Sequence, residues 1–121
     1  MNPNNYASLE ASKRLVEAGI VLETDVWWAV GHQSKTFQLL TKNDAQQWIK
    51  DREGDIYPAP SMAEVWRELP LGTRAYRGEV FTEAYLKTYK HDVIISENPA
   101  DALIDLLIWV KKEADDGRNN R

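Results

Sequence analysis

The stretch from Asn98 to Lys112 restricts the fold more than any other part of the chain. Asn98 is a good helix cap, and Pro99 suits a first helical position because it has no N–H to lose there. Asp101 follows in the first turn, where a carboxylate meets the positive end of the helix. At about 3.6 residues per turn, Asp101, Asp105 and Lys112 fall on one narrow polar stripe. Ala102, Leu103, Ile104, Leu106, Leu107 and Val110 cover most of the remaining circumference. A helix this apolar on nearly every side is central to its domain or completes an oligomer. The apolar run Ala102 to Val110 is broken by Asp105 and is far short of the roughly 20 residues that span a bilayer, so no membrane is expected as a partner.

The other elements must then surround this helix. Ser8 caps a first helix over Ser8 to Ala18, with Gly19 placed to end it. Ala7, Ala11, Leu15 and Ala18 form one stripe, while Leu9 and Val16 lie nearly opposite, so contact on two sides is expected. Asp25 to Val30 and Thr36 to Leu40 are rich in β-formers around a polar turn, Gly31 to Lys35, and read as a hairpin. Asn43 and Gln46 suggest a capping box for a short helix over Asp44 to Lys50. Asp51 to Pro60, with Gly54, Pro58 and Pro60, reads as a loop. Ser61 and Glu64 form a clearer capping box. Met62, Val65, Trp66 and Leu69 then recur at amphipathic spacing until Pro70 and Gly72 stop the helix. Val80 to Tyr89 and Val93 to Ile95 read as a second hairpin. A helix over Thr82 to Lys90 competes, because Phe81, Tyr85 and Tyr89 are also spaced by four.

The expected fold class is α+β: an antiparallel sheet of two hairpins with helices packed on one face, in the order α-β-β-α-α-β-β-α. Residues 1–113 form the single domain and residues 114–121 a frayed polar tail. A chain of 121 residues is long enough to bury about two thirds of its unfolded surface.

Chemistry is hard to find in these residues. The absence of cysteine removes disulfides, thiolate zinc sites and a cysteine nucleophile, and fits a reducing compartment. The N-terminus has neither the basic nor the apolar region of a secretory signal, so a cytoplasmic location is expected. His32 and His91 both sit in turns without a second histidine at ligand spacing, and read as solvated. No Gly-x-Ser-x-Gly elbow, phosphate loop or dinucleotide fingerprint occurs, and Ser61 is explained as a cap. Glu83 and Lys87 are too far apart for the acid-x-lysine strand of metal-dependent nucleases. Asp101 and Asp105 read as the wet stripe of the last helix. No cofactor and no enzymatic activity are expected.

Interaction surfaces are the better prospect. Five tryptophans are many for this length. Trp27 and Trp28 are adjacent on a strand and face opposite sides, so one indole is core and the other is either covered by another element or a partner anchor. Trp109, on the last helix, is a further candidate for partner binding. Arg74, Tyr76, Arg77, Tyr85, Lys87, Tyr89 and Lys90 interleave bases with aromatic rings, which suits single-stranded nucleic acid. The net charge of −4 disfavours that partner, because phosphate neutralisation supplies much of such affinity.

The run Asn98-Pro99-Ala100-Asp101-Ala102-Leu103, followed by Leu106, Leu107 and Trp109, resembles small uncharacterised proteins common in phage, prophage and mobile-element gene sets. The helical start, the Trp-containing segment and the Pro60 to Leu69 helix add to the likeness. It implies an accessory protein and assigns no activity or functional residue. The sequence is therefore expected to encode a non-catalytic interaction protein that binds a protein partner or a second copy of itself. The alternative is a nucleic-acid-binding accessory protein using residues 74–91.

Overall fold

The computed structural model describes residues 2–33, 36–70, 73–76, 79–82, 94–95 and 98–119. The first helix, α1, spans Leu9–Glu17, and Ser8 Oγ accepts the Ala11 N–H at 3.2 Å. It ends in a Schellman turn: Gly19 takes a φ of 73°, its N–H donates to Val16 O, and the Ile20 N–H donates to Leu15 O. Ala7, Ala11 and Leu15 are fully buried in the main core, whereas Leu9 packs against a second cluster. The two-sided contact expected of this helix is present.

Strand β1, Val26–Gly31, pairs antiparallel with β2, Phe37–Thr41, as the first expected hairpin. Helix α2, Lys42–Lys50, then carries the chain from one edge of β1 to the other, where β3, Gly54–Pro58, also pairs antiparallel with β1. The order is β2-β1-β3. Two sequence expectations change here. The cap of α2 is Thr41 rather than Asn43: its extended backbone ends β2, so the strand runs straight into the helix. Part of the expected loop Asp51 to Pro60 is strand β3. Pro58 is tolerated because it closes an edge strand, and Gly54 is required. A Cβ on Gly54 would run into the carbonyl oxygen of Val30 on β1.

Between α2 and β3 the chain makes a second Schellman turn. The Arg52 N–H donates to Ile49 O and the Glu53 N–H to Trp48 O, and Arg52 sits at φ 54°. Arginine thus occupies a left-handed position that glycine would fill without strain.

Helix α3 is short, Met62–Trp66, and its capping box is complete: Ser61 Oγ accepts the Glu64 N–H, and Glu64 Oε1 accepts the Ser61 N–H at 2.8 Å. The same Oε1 accepts the hydroxyl of buried Thr24 at 3.0 Å, while Thr24 Oγ1 accepts the Val26 N–H at 3.3 Å. This junction ties the start of β1 to the start of α3. Only part of the apolar stripe read on α3 turns inward: Val65 is fully buried and Leu69 packs against the core, but Met62 and Trp66 are 40% and 42% exposed.

A second three-stranded antiparallel sheet has the order β4-β5-β6, with β4 Thr73–Tyr76, β5 Glu79–Thr82 and β6 Ile94–Ile95. Strands β5 and β6 pair antiparallel, but Glu79 meets Ile95 and Val80 meets Ile94, a register that a tight turn at Lys90 to Asp92 would not give, and β4 adds a strand not read from the sequence. Residues 83–93, where strand and helix readings compete, lie outside the described residues. The class is α+β with antiparallel pairing, as expected, but the two hairpins belong to separate sheets and each gains a third strand.

The last helix, α4, spans Pro99–Asn119, seven residues beyond Lys112. Asn98 Oδ1 accepts the Ala100 N–H at 2.9 Å and the Asp101 N–H at 3.3 Å, as expected of the cap. Leu103, Ile104 and Leu107 are fully buried, and α1, α3, β5 and β6 pack around them. Its polar stripe is less wet than expected. Asp101 Oδ1 accepts the Ser8 N–H at 2.7 Å, and Asp105 pairs with Arg14 of α1 at 3.0 Å. Among the described residues, no helix is long and apolar enough to cross a membrane.

Three substitutions test this account by chemical denaturation. Gly54→Ala should lower stability by about 2 kcal/mol or more, because backbone rather than a flexible side chain opposes the new methyl. Arg52→Gly should raise it by about 0.5–1 kcal/mol, the relieved left-handed strain being offset by a more flexible unfolded chain. Asp101→Ala should lower it by about 1–2 kcal/mol through loss of a charged acceptor.

Candidate functional site

The alternation of β1 separates its adjacent tryptophans, as the sequence requires. By register, Trp28 shares a face with Leu39 and Tyr57, and Trp27 shares the other with Leu40 and Pro58. The Trp28 face is closed. Its indole is buried beside Val26 and Ala59, with Tyr6 and Leu9 packed against the cluster. Its Nε1–H donates to Ala7 O at 2.7 Å, and its ring meets Phe37 edge-on with 5.4 Å between centroids. Lys13 of α1 lies over the Tyr57 ring on the same face, 5.6 Å from its centre. Trp28 is thus the structural member of the pair.

Trp27 is half-buried and lines a pocket of about 300 Å³ with Val16, Ile20, Val21, Ile56 and Pro58. The walls come from two sources. One is the Schellman turn after α1, which projects Ile20 toward the core and leaves Val21 93% exposed. The other is the Trp27 face of β1 and β3. The lining side chains are apolar, and Val16, at 46% exposure, extends the patch along α1. The concavity is small, and an aromatic ring beside exposed aliphatic side chains makes it a candidate docking point. Sequence reasoning singled out Trp27 but not Val16 or Val21; the only signal was Val16 on the side of α1 opposite its buried stripe.

A second pocket, of about 430 Å³, lies where β1, α2 and β3 meet and is lined by His32, Trp48, Asp51, Arg52 and Glu53. Its charges are mixed. His32 Nε2 stands 3.4 Å from Asp55 Oδ1, with both side chains more than half exposed. The Trp48 Nε1–H is buried and finds no acceptor among the described residues, as is the case for the Ser12 hydroxyl on α1. Donors and acceptors of both signs do not converge on one ligand chemistry here. Among the described residues, no three histidine, aspartate or glutamate side chains stand together as metal ligands would.

Trp109 is half-buried on α4 and packs against the main core, so it serves the interior at least in part. Trp66, not singled out as a surface residue, is more exposed than either and lies one turn from exposed Met62. Its spacing with Val65 and Leu69 pointed to the core, but in the structure only Val65 and Leu69 reach it. Of the basic and aromatic set, Arg74 and Tyr76 lie on β4, next to β5. Arg77, Tyr85, Lys87, Tyr89 and Lys90 lie outside the described residues, as does His91.

Comparison with known proteins finds no relative: no protein-family profile, no curated protein and no solved structure matches the chain.

Proposed function

We propose that the chain is an accessory interaction module that docks a partner protein on the Trp27 pocket. The observation that carries this reading is Val21, an aliphatic side chain 93% exposed at the rim of an apolar concavity that also holds a half-buried indole. An aromatic anchor set in an apolar patch that excludes water is the usual composition of an interface centre. A second copy of the chain is not needed to cover α4, because Leu103, Ile104 and Leu107 are buried within one chain. The apolar surface left for a partner is therefore the Trp27 pocket and not α4.

Site-specific photocrosslinking tests the reading. A photoreactive amino acid replacing Val21 should give a discrete higher-mass adduct in cells that produce the protein, and Trp27→Ala in the same chain should abolish it. The same group at exposed Lys50 should give no such adduct. Identical adduct patterns from both positions, or none from Val21, would overturn the proposal.

A further inference from the structure

The charge around the Trp27 pocket narrows what can dock there, and this step rests on the docking reading just given. From Leu15 to Gln33 the chain has no lysine or arginine. Within that span Glu17, Glu23 and Asp25 are all exposed, and each is adjacent or nearly adjacent in sequence to a residue of the pocket wall: Val16, Leu22 and Trp27. The closest preceding cations are engaged elsewhere, Arg14 with Asp105 and Lys13 over Tyr57. Arg52 lines the other pocket. An apolar pocket flanked in sequence by three exposed carboxylates therefore faces solvent.

We infer that the pocket receives a peptide segment of a partner protein in which a large apolar side chain is flanked by lysine or arginine. The volume of about 300 Å³ is at the small end for ligand sites, suited to one or two inserted side chains. Burial of that side chain against Trp27 and Val21 supplies affinity. The carboxylates supply selectivity and speed: an acidic rim over low-dielectric walls focuses its field, attracts cationic flanks and repels acidic ones.

A random peptide library displayed against the immobilised full-length chain reads both parts of this inference. Wild-type protein should enrich sequences with Leu, Phe or Trp flanked by Lys or Arg. Their binding should weaken by about tenfold or more from low to high salt, because rim charges are screened. Val21→Asp should lose the enrichment. The triple variant Glu17→Lys, Glu23→Lys, Asp25→Lys should shift the flanks to Asp and Glu. All four positions are exposed, so thermal melts of these variants should match wild type; Val21→Ser replaces Val21→Asp if they do not.

The failures are distinguishable. An apolar consensus without basic flanks, still lost in Val21→Asp, overturns the charge inference and leaves the docking reading standing. No enrichment over Val21→Asp overturns both. A dimer in sedimentation that Val21→Asp dissociates makes the occupant a second copy and overturns the inference.

Discussion

Burial of α4 is the condition on which the remaining packing depends. Fully burying a leucine or isoleucine side chain is worth about 2 kcal/mol, and α4 supplies Leu103, Ile104 and Leu107 in that state, with Leu106 and Val110 nearly so. An exposed ion pair such as Arg14–Asp105 is worth about 0–1 kcal/mol, so it sets direction more than stability. Without the apolar surface of α4, Ala11 and Leu15 of α1 and Val65 of α3 would lose the largest part of the cluster that buries them, and β5 and β6 would lose a packing partner.

Polar contacts decide how that apolar assembly is oriented. The Asn98 side-chain amide donates to Tyr6 O at 3.0 Å while the Ser8 N–H donates to Asp101, so both residues at the start of α4 hold the start of α1. The Ala7 N–H in turn donates to Pro60 O, and Ala7 O accepts the Trp28 indole N–H. One short segment, Tyr6 to Ser8, thus connects the main core, the approach to α3 and the central strand of the first sheet. The far end of α1 is fixed by consequence, and with it the turn whose residues face Trp27. The apolar pocket is a product of rigid elements on both walls.

Elements with strong local signals were legible from the chain. Ser8, Ser61 and Asn98 announce caps that the structure keeps, Gly19 announces the end of α1, and the greasy circumference of α4 announces its central place. What escaped depends on distant residues. Gly54 and Pro58 read locally as breakers, yet β1 recruits them into an edge strand, where glycine admits the close approach of Val30. Asp101 and Asp105 form a polar stripe that composition assigns to water, and only the position of α1 turns it into a clamp. Trp27 and Trp28 were separable by alternation, but not which of them is buried; that depends on Ala7 O lying above one face. Val21 carries no motif at all, and its exposure follows from the turn that precedes it.

The clamp between Ser8 and Asp101 joins groups 93 positions apart in sequence. In a chain made from its N-terminus, the stripe of Ala7, Ala11 and Leu15 therefore cannot meet α4 until the segment around Asp101 has been made. Contacts this non-local slow folding and prolong the life of sticky intermediates. The first sheet, by contrast, is assembled entirely from residues between Val26 and Pro58, and its contacts with α1 through Leu9 span a much shorter stretch of chain.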